Sequence, residues 1–342
     1  MNRKVAFIAL PILVLIIGYS VGPSPDNPVW NMDFPTVPQD ALALEKYVST
    51  QENKHKIKPD NEARIIWNDS TKSKTEYSLV YLHGYSASQE EGNPVHLDFA
   101  KKFGCNLYLA RMADHGIDTT EQLLNFTPDR WWKSSKEALA IGKALGEKVI
   151  IMSTSTGGTM ALTLAANYGS DISALINMSP NIAINEPTAW LLNKPWGLQI
   201  ARLATGSHYT DTIPIPGVDQ KLSNQYGYAK CRLESVCQLQ EMVDSKMKKE
   251  TFEKVLQPSL SLYYYKNEEE QDPTVKVSAI LDMHDQLGTP DSLKEAIAIP
   301  NAGTHVIGCY YRSNDVPAVI AAIEKFAIEK LHMSLVENSS KM

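Results

Sequence analysis

Six short apolar runs recur along the chain and constrain its fold more than any other feature: "YSLVYLHG" (77–84), "CNLYLAR" (105–111), "KVIIMS" (148–153), "SALINMS" (173–179), "SLSLYYY" (259–265) and "EAIAIPNAG" (295–303). They are nearly continuous in apolar residues rather than alternating, which suits strands buried on both faces. Helical stretches fall between them at 95–103, about 132–146, 157–168 and 316–331, and the last, "VPAVIAAIEKFAIEKL", is strongly amphipathic. "ALALEKYVSTQEN" is predicted as a first helix and "ARIIWND" as a first strand. The alternation predicts an α/β fold, with a mainly parallel sheet and helices on both faces.

One interval breaks the rhythm. About eighty residues separate "SPN" at 179–181 from the strand at 259; they are rich in Trp, Leu, Tyr and Met, then charged and helical. A structureless loop of that length is improbable in a compact domain, so an inserted helical cap is expected. "TAWLLNKPWGLQIARLATG" within it suits either an acyl-chain lining or packing of the cap on the core.

The N-terminus has a different composition. Arg3 and Lys4 precede an apolar run from Val5 to about Gly22, close to the ~20 residues that cross a bilayer and longer than a usual signal core. An uncleaved membrane anchor is expected, with the bulk of the chain outside the cytoplasm by the positive-inside rule; secretion after cleavage near Ser20-Val21-Gly22 is the alternative. The organisation is then an anchor or signal at 1–25, a Pro-rich tether and first helix at 26–59, core at 60–181, cap at 182–257, core at 258–332 and a tail at 333–342.

Composition removes several function classes. A formal net charge of −6 over 342 residues argues against nucleic acid, whose phosphates demand a basic face. Cys105, Cys231, Cys237 and Cys309 are too scattered for a disulfide framework or a zinc site. Cys231 and Cys237 are near enough for a local bridge, with free thiols an equal alternative. No metal constellation, phosphate-cradling loop or nucleotide fingerprint is present, so no cofactor and no metal are inferred.

The chemistry concentrates at strand ends. In "KVIIMSTSTGGTM" (148–160) a buried run breaks on small hydroxyl residues and two glycines, and a helix follows. Ser155 on so sharp a turn is lifted clear of the sheet's carboxyl edge, where ligands bind in open α/β sheets. Ser153, Gly157 and Gly158 supply the small neighbours that the turn needs. "STSTGG" resembles the G-x-S-x-G nucleophile elbow of the α/β-hydrolase fold, with Ser153 in the first glycine position.

That resemblance implies more, over roughly residues 60–332. The His83-Gly84 turn in "YLHGYSAS" is similar to the turn that supplies an oxyanion-hole N–H, which implies donors at Tyr85 and Thr156. "PNAGTHVIG" resembles the turn that delivers the general base, here His305. The acid is expected after "SLSLYYY"; Asp272 in "DPTVKV" fits best, capping a helix that Pro273 begins, with Glu268, Glu269 and Glu270 as competitors and Asp282 and Asp285 as more distant ones. Ser155, Asp272 and His305 stand in the Ser…Asp…His order of that fold. "LYLARMADHGIDTT" is similar, at Arg111, His115 and Gly116, to a loop of monoacylglycerol-lipase-like and carboxylesterase-like hydrolases; no catalytic role follows for it.

The resemblance implies an eight-stranded-type core, a cap after the sixth strand, and a serine hydrolase acting on carboxylic esters, with lipid-like or monoacylglycerol-type substrates favoured. Its partners would be a small-molecule acyl ester and, through the N-terminal segment, a membrane. Thioesterase, peptidase or haloperoxidase activity, or a non-catalytic binding protein of the same fold, are the alternatives. Oligomeric state and acyl chain length stay open.

Overall fold

The computed structural model of the chain describes residues 17–211 and 218–336. Nine strands run in chain order: β1 (Arg64–Ile66), β2 (Thr75–Leu82), β3 (Asn106–Leu109), β4 (Gly146–Thr154), β5 (Ala174–Met178), β6 (Tyr209–Asp211), β7 (Lys230–Arg232), β8 (Ser259–Tyr263) and β9 (Lys294–Ala298). Seven form one sheet in the order β1-β3-β2-β4-β5-β8-β9, and β6 and β7 form a separate ribbon. Within the large sheet only β1 is antiparallel to its neighbour.

The register aligns the strand ends that matter. Thr154 lies beside Met178, Met178 beside Leu262, and Leu262 beside Ile297. The loops leaving β4, β5, β8 and β9 therefore start from one carboxyl edge.

Both faces of the sheet are covered, as the unbroken apolar runs require. On one face Val80, Leu82, Val149 and Ile151 pack with Trp131, Trp132 and Leu139 of the helix Pro128–Leu145 and Met160 of the helix Thr156–Asn167. On the other, Leu79, Leu107, Ile150 and Ile176 pack with Phe99 and Phe103 of the helix Val95–Phe103 and Ile323 and Phe326 of the helix Val316–Glu329. Each fully buried side chain of this size contributes about 1.5–3 kcal/mol of transfer free energy. Helix starts are set locally: Asp40, Thr127 and Asp315 each accept a hydrogen bond from a first-turn N–H, with Pro128 and Pro317 in two of those turns.

The insertion follows the fifth strand of the chain, not the sixth, because the described residues hold seven sheet strands rather than eight. Residues 26–59 supply extended chain and the helix Ala41–Glu52 at the β1 edge instead of a further strand. Between β5 and β8 lie the helices Gly197–Thr205, Gln220–Tyr226, Leu233–Lys246 and Lys249–Phe252, with the β6–β7 ribbon. The helix Leu233–Lys246 buries Leu239, Met242 and Val243 in the core. The "TAWLLNKPWGLQIARLATG" stretch packs less tightly, leaving Trp190, Trp196, Ile200 and Leu203 exposed.

The expected N-terminal anchor lies largely outside the described residues, and no described helix is long and apolar enough to cross a membrane. Residues 17–20 are helical and reach the insertion: the Trp196 indole donates to the Gly18 carbonyl at 2.9 Å. Among the described residues all four cysteines are free and buried, so Cys231 and Cys237 form no bridge. No group of residues suited to a metal ion occurs among them either.

Candidate active site

Ser155 occupies a conformation that a side-chain-bearing residue adopts only under constraint, with φ 53° and ψ −120°. The constraint comes from both sides. Its N–H donates to the Met178 carbonyl of β5 at 3.0 Å, and its carbonyl accepts from Gly158 at 2.8 Å and Asn181 at 2.9 Å. Gly157 lets the helix start pack against the end of β2, since a Cβ there would meet the Leu82 carbonyl oxygen at 2.1 Å. Such strain is held at functional sites by the surrounding fold.

Ser153, where the elbow pattern has glycine, is accommodated by a specific bond. Its Oγ donates to Asn177 Oδ1 across the β4–β5 pair at 2.7 Å, wholly buried. That partner is visible only once the two strands are paired.

Asp272 and His305 leave β8 and β9 at the same edge, and His305 Nδ1 donates to Asp272 Oδ2 at 2.7 Å. The other carboxylate oxygen accepts from the N–H groups of Thr274 at 2.8 Å and Val275 at 3.1 Å. Asp272 thus closes a tight turn rather than capping a helix. Lys276 N–H bonds to the Ala183 carbonyl and Val275 pairs with Ile184, which keeps this segment extended until the helix Val277–Gln286.

Burial raises the Asp272 pKa, but the neighbouring His305 and the hydrogen bonds outweigh it and hold the group below the usual carboxylate range. Burial likewise pulls His305 down, and the charge and hydrogen bond of Asp272, helped by Glu91, push it above its ordinary value of 6.5. His305 Nε2 is buried and takes no hydrogen bond among the described residues, including any from Ser155. Of the competing acids, Glu270 is held by Lys266 and Asn267, and Glu268 by Tyr265, all on the exposed side of the loop.

The His83-Gly84 turn sits against the nucleophile: a Cβ at Gly84 would lie 3.0 Å from Ser155 Cβ. Three side chains pin its backbone. His83 Nδ1 donates to the Gly84 carbonyl at 2.8 Å while its Nε2 accepts from Met112 N–H. Glu91 Oε2 accepts from Gly84 N–H at 2.6 Å, and His115 Nε2 accepts from Ser86 N–H at 2.9 Å. Both histidines are driven neutral, by burial first; the His115 pKa falls to about 3. The N–H groups of Tyr85 and Thr156 take no acceptor among the described residues. His83, Glu91 and His115 were missed as supports because their partners are backbone groups, which leave no mark on sequence spacing.

The insertion closes over this turn. Tyr228 N–H donates to the Ser86 carbonyl at 3.1 Å, and Tyr85 Oη shares a 2.6 Å hydrogen bond with Ser235 Oγ. A separate cavity of about 220 Å³, lined in part by Glu52, Arg111, Arg130 and Glu137, touches none of these residues. Two ion pairs cross its lining, Arg111 with Glu52 and Arg130 with Asp114.

No protein-family model and no curated sequence matches the chain. Solved structures do. A metagenome-derived lipolytic enzyme of the LipS and LipT pair superposes with a TM-score of 0.64 at 15% identity, over 79% of this chain and 98% of that one. The monoacylglycerol lipase of Paleococcus ferrophilus gives 0.57 at 12%, over 78% and 97%. A soluble variant of the monoglyceride lipase of Saccharomyces cerevisiae gives 0.56 at 12%, over 80% and 91%. Strand order, strained elbow and these likenesses agree: the chain has the α/β-hydrolase fold.

Proposed function

We propose that the protein is a serine hydrolase that cleaves carboxylic esters through an acyl-enzyme. The observation that carries this reading is the buried Asp272–His305 hydrogen bond at the sheet edge where Ser155 is held strained on its elbow. His305 Nε2 takes the Ser155 proton as Oγ attacks the acyl carbonyl, and it returns that proton to the leaving alcohol. The developing oxyanion is received by the N–H groups of Tyr85 and Thr156, each donor being worth about 3 kcal/mol in the transition state. Asp272 keeps the His305 proton on Nδ1 and stabilises the imidazolium; water, activated by the same base, then releases the acid.

Lipid-like esters are the proposed substrate class. Trp190, Ile200 and Leu203 present apolar surface on the insertion, and the end of the Val5–Gly22 run lies against Trp196. We read that run as a membrane tether with the catalytic part outside the cytoplasm; alkaline carbonate extraction leaves a tethered chain with the lipid, whereas full release contradicts the tether.

The function is tested with p-nitrophenyl esters of graded acyl length on the full chain. Ser155→Ala removes nearly all turnover while circular dichroism stays native; wild-type rates in that variant reject the assignment.

A further inference from the structure

The catalytic cycle just proposed leaves one buried ionisable group beside it without a task. Glu91 lies in the short 3-10 turn Gln89–Gly92 and is 8% exposed. The one hydrogen bond to its carboxylate among the described residues is the 2.6 Å contact from Gly84 N–H. A Cβ at Gly84 would be 3.0 Å from Glu91 Oε2, 3.1 Å from Oε1 and 3.0 Å from Ser155 Cβ, so the carboxylate and the nucleophile's Cβ flank the same glycine, at most about 6 Å apart. A carboxylate so enclosed, with a single donor, is costly to bury. A neutral amide of the same length would hold Gly84 N–H without burying a charge.

From this geometry we infer that Glu91 is a positioning residue of the catalytic centre: it fixes the His83-Gly84 turn against Ser155 and places a second negative charge facing His305. The two actions serve the same step. Fixing Gly84 N–H sets the next peptide, whose Tyr85 N–H is the proposed oxyanion donor. The added charge favours the imidazolium that forms as Ser155 loses its proton.

The surroundings agree. Burial raises the Glu91 pKa, and the Gly84 hydrogen bond, His305 and Arg312 oppose that rise. Tyr81, Cys309 and Tyr311 also face Glu91; burial is the main reason they hold their protons more firmly, and the Glu91 charge adds to it. The charged groups facing His305 are Asp272 and Glu91, which favour its protonated form, and Arg312, which opposes it.

The inference rests on the hydrolase reading, and two variants separate its halves from that reading. Glu91→Gln keeps an oxygen for Gly84 N–H but loses the charge; the acid limb of its kcat/KM profile moves down by roughly one pH unit. Glu91→Asp keeps the charge but loses reach, so kcat falls about 10- to 100-fold with the acid limb near that of wild type. Thermal melts first establish that each variant folds. If Glu91→Gln does not, Glu91→Asp decides alone, and wild-type turnover in it overturns the inference. An acid limb of folded Glu91→Gln that coincides with wild type also overturns it, because a purely structural glutamate would leave that limb in place. Ester turnover by wild type that is lost in Ser155→Ala keeps the hydrolase reading intact in either case; wild type that cleaves no ester removes that reading and this inference together.

Discussion

Replacing Asp272 by asparagine is the sharpest perturbation that the site offers, because the structure dictates which way the new amide must turn. Asp272 Oδ1 accepts two backbone N–H groups, from Thr274 and Val275, and Oδ2 accepts one donor, His305 Nδ1. Asparagine has a single oxygen. Two fixed backbone donors to a buried side chain outweigh one ring N–H, so the oxygen faces the backbone and the NH2 faces the imidazole. An NH2 cannot accept, so the ring moves its proton to Nε2 to spare Nδ1 an unpaired N–H. Nε2 then carries hydrogen where it has to take one from Ser155, and the base is lost although every heavy atom stays in place. Loss of the correct tautomer costs about 10⁴ in kcat, equivalent to about 5 kcal/mol of transition-state stabilisation. The assay is kcat/KM on a p-nitrophenyl ester at the wild-type optimum, with Glu270→Gln as the control. Asp272→Asn within tenfold of wild type, or an equal loss in Glu270→Gln, refutes the reasoning.

The pH profile gives a second expectation. His305 has to be neutral to act as base, and its pKa is raised, so kcat/KM rises through an acid limb above 6.5; a limb at or below 6.5 contradicts the pairing. The same pair shapes stability. The raised His305 contributes stability that is complete below its unfolded value of 6.5 and is lost as pH climbs through the folded pKa, whereas the depressed Asp272 contributes above 3.8 and fades as pH falls. The contribution therefore peaks between those values, and melting temperature against pH flattens there in Asp272→Asn. Gly157→Ala drives a methyl into the Leu82 carbonyl, which is backbone and cannot swing away; it costs about 1–3 kcal/mol by denaturant titration and at least tenfold in kcat. Ser153→Gly restores the elbow's usual residue yet removes the buried bond to Asn177, so it destabilises by about 1–3 kcal/mol while leaving kcat within a few-fold; a more stable variant refutes the role given to that bond.

The sheet was legible because each central strand is apolar on both faces, and the helices because their caps and periodicity lie close together in sequence. The helices beginning at Val95, Thr156 and Val316 start within a residue of where the pattern puts them. The candidate Ser155 was singled out by its small neighbours and the candidate Asp272 by the adjoining proline, and the turn that Asp272 closes differs from the helix cap expected. What escaped notice depends on residues meeting from distant parts of the chain. Asn177 supports Ser153 only because β5 pairs with β4, and His115 reaches Ser86 only because a loop folds back over the turn. Nothing in the sequence around Glu91 sets it apart from its neighbour Glu90, because its seclusion is purely tertiary. The β6–β7 ribbon was equally hidden, since three-residue strands carry no periodicity to read.

Intact-protein mass spectrometry after treatment with a fluorophosphonate probe tests the central claim most directly. One adduct per chain, mapped to Ser155 and absent after His305→Ala, is the predicted result. A folded wild-type chain that takes no adduct, or that takes one at another serine, contradicts it.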